Sequence, residues 1–89
     1  MIERELTICN RLGLHARAAA QFVKLASQYA ADIQVGLDGV EVNGKSIMGL
    51  MMLAAGQGSR IRLRADGPDE QEAVAAIARL VEARFGEED

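Results

Sequence analysis

Apolar residues recur every second residue in some segments of this chain and every third or fourth in others, and this change of period constrains the fold most. Residues 2–9 alternate between apolar and polar side chains, with Arg4 as the exception, which is typical of a half-buried strand. Residues 16–29 have the spacing of one helix face. The apolar residues of that predicted face are Ala19, Phe22, Val23, Ala26 and Ala30. The chain is therefore predicted to begin with a strand and a helix.

The remaining segments repeat the two periods. Asp38-Gly39 is a strong two-residue hairpin signal, and it joins predicted strands at 32–37 and 40–43. In that hairpin Leu37 would face Val40, and Val35 would face Val42. The later predicted elements are a short helix from Ile47 to about Leu53, a strand at 60–65 and a helix from Pro68 whose apolar stripe is Val74, Ile77, Leu80, Val81 and Phe85.

This succession of elements predicts the fold class. Four strands with one apolar face each need a cover, and two long amphipathic helices can supply it. We expect an α+β two-layer open-faced sandwich, in which helices cover one face of a four-stranded antiparallel sheet in the order β-α-β-β-α-β-α. The 89 residues suffice for a single domain over 1–89. A chain of this length has little room for a deep cavity, so a shallow site is expected. The charged segment 86–89 is expected to fray.

Charge and cysteine content exclude several classes of protein. Residues 66–89 hold eight acidic and two basic side chains, whereas residues 1–65 hold five acidic and eight basic ones. The positive part suits an anionic ligand or an acidic partner, while the net charge of −3 and 3% aromatic content disfavour nucleic-acid binding. Single cysteine and histidine residues rule out an intrachain disulfide and an ordinary zinc site. We expect a cytoplasmic protein without membrane insertion, metal or cofactor.

His15 is the candidate reactive residue. It stands where a loop containing Gly13 meets the first predicted helix. The first backbone N–H groups of a helix, here those of Ala16, Arg17 and Ala18, lack partners within the helix and favour anions. The Arg17 guanidinium adds a forked donor to phosphate. Nucleophile, anion site and counter-charge therefore share one segment. The alternative is that His15 only caps the helix and Arg17 is a solvated charge.

Two further features have both a structural and a functional interpretation. Ser46 is a natural N-cap for the short helix. The apolar segment from Ile47 to Leu53 cannot be buried on all sides, so Met48 and Met51 are candidates for a protein-binding surface, and Leu50 and Leu53 for the core.

Three arginines alternate in the last predicted strand. Arg60, Arg62 and Arg64 are interpreted as a solvated strand face, paired with Glu3 and Glu5 on a neighbouring strand.

Two segments carry a resemblance to a known family. GLHAR at 13–17, together with KSIMGLM at 45–51 after a DG hairpin, resembles HPr, the histidine phosphocarrier family of the bacterial phosphoenolpyruvate-dependent sugar phosphotransferase system. The resemblance implies that His15 is phosphorylated on Nδ1, that Arg17 stabilises the phosphohistidine and that Ser46 is a regulatory phosphorylation site. It also implies enzyme I and IIA domains as partners, with an HPr kinase/phosphorylase as a possible third. The partner surface would comprise Leu14, Ala20, Gln21, Lys24, Ile47, Met48 and Met51.

The chain departs from the family at one position, and other functions stay open. The family commonly has proline after the arginine, whereas this chain has Ala18. Both residues tolerate a first helical turn, so we expect transfer to be intact. The alternatives are a phosphocarrier of the related nitrogen branch, which the FGEED ending suggests, and a regulatory module that binds without transferring phosphate. A stand-alone enzyme is not expected, because no acid–base pair stands near His15 in the sequence. A carrier that alternates between partners is expected to be a monomer.

Overall fold

The computed structural model describes residues 1–87, and it confirms the predicted order of elements. The strands are β1 (Ile2–Thr7), β2 (Asp32–Leu37), β3 (Val40–Asn43) and β4 (Arg60–Asp66). The helices are α1 (Ala16–Ala26), α2 (Ile47–Met52) and α3 (Glu70–Glu82), and a 3-10 turn follows at Arg84–Gly86.

The four strands form one antiparallel sheet in the order β1-β4-β2-β3. The β2–β3 hairpin has the predicted register, with Leu37 opposite Val40 and Val35 opposite Val42. Its turn residues, Asp38 and Gly39, have φ of 51° and 82°, the left-handed conformation that a tight hairpin requires. The sheet therefore follows directly from the alternating segments and the DG turn.

The core lies between the helices and one face of the sheet. Leu63 and Val35 of the sheet and Phe22 of α1 are fully buried, as are Ile77 and Val81 of α3. On the opposite face, Arg62 and Arg64 lie 3.7 and 3.4 Å from the carboxylate of Glu3. The open-faced α+β sandwich is thus confirmed, and so is the prediction that the arginines occupy a charged strand face.

The exception in β1 has a structural explanation. Arg4 has the same parity as the apolar residues of the strand, yet its guanidinium lies 3.7 Å from the carboxylate of Glu82 at the end of α3. The side chain therefore reaches past the covered face to an acidic partner. β1 itself ends at Thr7, although Ile8 continues the backbone pairing by donating to the carbonyl of Ser59 at 2.8 Å.

The first helix is shorter than predicted. It ends at Ala26, and Ala30, predicted on its apolar face, is exposed. The carboxylate of Asp69 accepts the N–H groups of Ala30 and Ala31 at 2.8 and 2.9 Å. Asp69, the residue just before α3, therefore satisfies both N–H groups. These two bonds turn the chain towards β2.

The end of the chain also differs from the prediction. α3 begins at Glu70 after an N-cap at Asp69, so Pro68 precedes the helix. The helix ends at Glu82, and Phe85 is buried through a left-handed turn rather than as part of a helical stripe. The prediction of a frayed tail is wrong for Gly86 and Glu87, whose N–H groups bond to Ala83 and Arg84. Glu88 and Asp89 lie outside the described residues.

Candidate functional site

His15 is the N-cap of α1, as predicted, and the preceding loop is held in place from two sides. Leu14 donates its N–H to the carbonyl of Ala55 at 2.9 Å. The side-chain amide of buried Asn10 donates to the carbonyl of Gly13 at 2.8 Å. His15 has extended backbone angles, and its carbonyl accepts the N–H of Ala19, the first bond of the helix. Its side chain makes no capping bond, so the imidazole is available for other contacts.

The N-terminus of α1 presents fewer donors than predicted. The N–H groups of Ala16, Arg17 and Ala18 precede the first helical bond. Ala16 and Arg17 are exposed, whereas Ala18 packs into the core and is 0% exposed. The Ala18 N–H therefore lies beneath the surface, which leaves Ala16 and Arg17 as the exposed members of the predicted anion site.

A carboxylate that sequence reasoning missed lies against the imidazole. Glu87 Oε2 is 2.5 Å from His15 Nε2, and Glu87 Oε1 accepts a hydrogen bond from Asn10 Nδ2 at 3.0 Å. The hydrogen bond from Asn10, followed by the interactions with His15 and Arg17, lowers the pKa of the Glu87 carboxyl below its ordinary value. The carboxylate is therefore ionised at neutral pH. No acid stands near His15 in the sequence, but the fold brings Glu87 to it from 72 residues away.

The signal that could have revealed Glu87 is weak. Phe85 completes the apolar stripe of the last predicted helix, and Gly86 directly follows it, where glycine favours a chain reversal. That pattern predicts that the chain turns back after Phe85. It does not identify the residue to which the chain returns, because Glu87 and His15 are 72 residues apart.

The site is shallow, as expected. The side chain of His15 is 27% exposed and that of Glu87 is 18% exposed, so both can be reached from solvent. A depression of about 210 Å³ lies elsewhere, on the open face of the sheet, lined by residues that include Asp38, Arg60 and Arg62. Within residues 1–87, no group of three His, Cys, Asp or Glu side chains could hold a metal ion.

An exposed apolar patch occupies α2, which packs against α1. Met48 is 76% exposed, and Ile47 and Met51 are 41% and 44% exposed. Met52, which was not among the predicted surface residues, is 77% exposed. Leu50 and Leu53 are buried, as predicted. We call the exposed residues of α2, namely Ile47, Met48, Met51 and Met52, the α2 patch.

The predicted surface residues outside α2 differ in exposure. Ala20 and Lys24 are exposed and Gln21 is half-buried, all on α1. Leu14 is 4% exposed and belongs to the core, so its side chain offers almost nothing to a partner. Leu12, two residues earlier, is 62% exposed and was not singled out.

Ser46 is the N-cap of α2, as predicted. Its hydroxyl oxygen accepts the N–H of Gly49 at 3.1 Å, and its carbonyl accepts the N–H of Leu50. The side chain is half-buried. Ser46 therefore stabilises the same short helix that carries the α2 patch.

Comparison with known proteins identifies close relatives over the whole chain. The family model described as the PTS HPr component phosphorylation site matches residues 2–83. The phosphocarrier protein HPr of Cupriavidus necator is 52% identical over 87 residues, which cover 98% of each chain. The phosphocarrier protein NPr of Shewanella violacea is 44% identical and covers 97% of this chain and 94% of its own. The crystal structure of HPr-C-His from Thermoanaerobacter tengcongensis superposes with a TM-score of 0.96 at 48% identity, covering 100% of both chains.

Within the described part of the chain, residues 1–87, no helix has the length and apolar character needed to cross a membrane.

Proposed function

This chain belongs to the HPr family of phosphocarriers of the phosphotransferase system, and from that premise we propose that His15 accepts a phosphoryl group from phospho-enzyme I and passes it to a IIA domain. The observation that carries the proposal is the placement of the imidazole at the N-terminus of α1, half-buried and with Arg17 in the first turn of that helix. Positive charge from the helix end and the guanidinium favours a phosphoryl group at that point.

The transfer requires positioning more than acid–base chemistry. As the bond from phosphorus to the donor's nitrogen breaks, a bond from phosphorus to His15 Nδ1 forms, and the second transfer reverses these roles. The transferring group spreads negative charge over its equatorial oxygens. In this proposal the N–H groups of Ala16 and Arg17, in the first turn of α1, and the Arg17 guanidinium stabilise that charge. The chain acts as a carrier that is itself modified and regenerated, rather than as an enzyme.

The α2 patch and the neighbouring face of α1 form the proposed docking surface for both partners. It comprises the four residues of the α2 patch with Ala20, Gln21 and Lys24 of α1. Methionine side chains adapt to different partners, which suits a protein that docks on two in turn. Lys24 adds positive charge for acidic partner surfaces. We propose that this docking is regulated through phosphorylation of Ser46 by an HPr kinase/phosphorylase.

The wider cellular setting follows from the same proposal. The chain acts in the cytoplasm as a monomer, where enzyme I and the IIA domains can reach it, and it takes no cofactor or metal.

The sugar branch is the proposed setting of this chemistry. The Lys45-Ser46 pair favours it over the nitrogen branch, as does the higher identity to an HPr, 52%, than to an NPr, 44%.

Intact mass after incubation with phosphoenolpyruvate and sugar-branch enzyme I tests the proposal. The native chain should gain one acid-labile phosphate, and the His15→Ala variant should gain none. If the native chain gains phosphate only with a nitrogen-branch enzyme I, it is a phosphocarrier of the nitrogen branch. Gain with neither enzyme would contradict phosphotransfer and leave a regulatory binding module. A circular-dichroism spectrum equal to that of the native chain establishes that the variant is folded.

A further inference from the structure

The contact between Glu87 and His15 connects the end of the described chain to the candidate site. The carboxylate lies 2.5 Å from Nε2 and is held on its other side by Asn10. Asn10 is fully buried and also binds the carbonyl of Gly13 in the loop that carries His15. Loop, imidazole and carboxylate are therefore parts of one hydrogen-bonded unit.

Glu87 reaches this position through an unfavourable backbone conformation. Arg84 and Phe85 have φ of 58° and 54°, in the left-handed region that is unfavourable for residues with a side chain. Phe85 is 1% exposed, so burial of its ring holds the turn in place. The N–H of Glu87 bonds to the carbonyl of Arg84 at 2.9 Å and continues the reversal. Such strain is often maintained where a functional group must be positioned.

We propose that Glu87 is a positioning residue for phosphoryl transfer, whose carboxylate holds the proton of His15 on Nε2 and leaves the lone pair of Nδ1 free to attack phosphorus. This inference rests on the proposed function of His15. An ionised carboxylate can only accept a hydrogen bond, so the ring nitrogen facing it must donate. Orientation of a reactive histidine through its second nitrogen is an effective way to select the tautomer.

The same contact stabilises the product of the first transfer. When Nδ1 forms its bond to phosphorus, positive charge develops on the ring while the Nε2 proton stays in the hydrogen bond to Glu87. The carboxylate therefore lies against the developing charge, opposite the transferring group. The positive charge of Arg17 also contributes to the lowered pKa of the Glu87 carboxyl. The site thus places an anion behind the imidazole, against Nε2 and away from the nitrogen that attacks.

The hydrogen bond from Asn10 determines how a glutamine at position 87 would orient its amide, so the Glu87→Gln variant tests the proposal. Because the Asn10 amide donates to Oε1, the glutamine introduced by Glu87→Gln should keep its carbonyl oxygen on Asn10 and turn its NH₂ group towards His15. Nε2 would then accept, and the ring proton would move to Nδ1, the nitrogen that must attack. Glu87→Ala only removes the contact and leaves the ring free. Glu87→Gln should therefore be more harmful than Glu87→Ala, although it is the smaller change in shape.

Ring ¹⁵N NMR and transfer kinetics test this inference together. His15 is the single histidine, so its ring signals need no assignment among several. At a pH where the imidazole is neutral, the native chain should carry the proton on Nε2 and Glu87→Gln should carry it on Nδ1. The rate of phosphate acceptance from phospho-enzyme I should fall at least about tenfold in Glu87→Ala, and further in Glu87→Gln. Glu82→Gln, which removes the same charge from a side chain bound to Arg4, should match the native chain in both measurements.

The outcomes separate this inference from the proposed function. If the native chain accepts phosphate and Glu87→Gln retains the native tautomer and rate, Glu87 has no positioning role. If the native chain accepts phosphate from no enzyme I, the proposed function fails. The ring tautomer is measured without any transfer, so it still decides whether Glu87 sets the state of His15.

Discussion

Gly13 is the residue on which the approach of the His15 loop to the body of the protein depends. Its φ of +66° lies in the left-handed region, and a Cβ placed on it would be 2.3 Å from the Ala55 carbonyl oxygen and 2.8 Å from the Gly56 Cα. Both neighbours are backbone atoms, so neither can rotate away. The close approach also allows Leu14 to bond with the Ala55 carbonyl, one residue before His15. Glycine here therefore determines the position of the imidazole.

Gly13→Ala should destabilise the fold and displace His15. We expect a loss of more than ~3 kcal/mol in the free energy of unfolding, because left-handed strain is added to a backbone clash. Gly39→Ala is the matched control: it has φ of +82° but open space around the new Cβ, so strain alone should cost about 1–2 kcal/mol. Urea denaturation measures both values. Equal losses in the two variants would show that the contact with Ala55 and Gly56 is unimportant.

At the residue scale, the sequence predicts those parts of the site that are local. His15 at the helix start and Ser46 as a cap follow from the residue types and their neighbours, and the structure confirms both positions. Glu87 and Asn10 could not be predicted, because their contacts depend on how distant segments meet. The burial of Ala18 and Leu14 is a tertiary outcome of the same kind.

At the scale of elements, α2 combines a cap with the exposed surface that follows it. The helix has only six residues, so the bond from Gly49 N–H to the Ser46 hydroxyl is a large share of its local stabilisation. A negative group on residue 46 would lie at the positive end of the helix and beside the α2 patch. Stability and docking are therefore expected to respond differently to the same substitution.

Two variants of Ser46 should separate these effects. Ser46→Asp retains a capping acceptor, so its free energy of unfolding should lie within about 0.5 kcal/mol of the native value. Phosphate transfer to His15 should nevertheless be about tenfold slower, because the added negative charge repels acidic partners. Ser46→Ala loses the cap and should be about 1 kcal/mol less stable, while transferring at nearly the native rate. Denaturation measures the stability of each variant, and transfer kinetics at two salt concentrations measure its rate. Added salt should reduce the slowing in Ser46→Asp, because salt screens the charge repulsion. Identical transfer rates for Asp and native chains would contradict the regulatory role of Ser46.

Element boundaries show where periodicity stops being informative. The strands and helices lie where the spacing of apolar residues predicts them, because an amphipathic segment must bury its apolar face. The end of α1 could not be predicted, because Ala30 is a good helix former whose N–H is taken by Asp69 from another part of the chain. Tertiary bonding here overrides local propensity.

At the scale of the whole molecule, Asp69 connects the start of α3 to the segment between α1 and β2. Its two carboxylate oxygens accept the N–H groups of Ala30 and Ala31. These backbone hydrogen bonds, that from Ala30 first, lower the pKa of the Asp69 carboxyl below the ordinary 3.8. A carboxyl with a lowered pKa stabilises the fold fully above its ordinary value, and the stabilisation is lost as the pH falls through the lowered one.

Asp69→Asn should therefore be less stable than the native chain at neutral pH, and the difference should shrink as the pH falls below 3.8. Urea midpoints between about pH 7 and about pH 2.5 measure this difference directly. Asp32→Asn, a change of the same charge at an exposed position, is the control and should show a smaller difference throughout. A difference that stays constant with pH would mean that the ionised carboxylate is not the stabilising group.

The overall architecture was predictable because each segment of the sequence favours the same arrangement of layers. Alternating strands, a DG turn and two amphipathic helices all require the same two layers, and the charged face of β4 needs no cover. The path after Phe85 was not predictable, because three consecutive left-handed residues have no periodic pattern.

The position of Glu87 also affects how the protein can be labelled or immobilised. A fluorophore, affinity handle or fusion partner joined shortly after this residue would begin beside the imidazole and crowd the surface that a partner must approach. The other terminus lies at the far end of β1, where the Met1 ammonium is 3.0 Å from Glu70. Six extended residues span about 20 Å, so an attachment at Met1 stands clear of His15. Surface-based binding measurements on this protein therefore call for tethering through Met1.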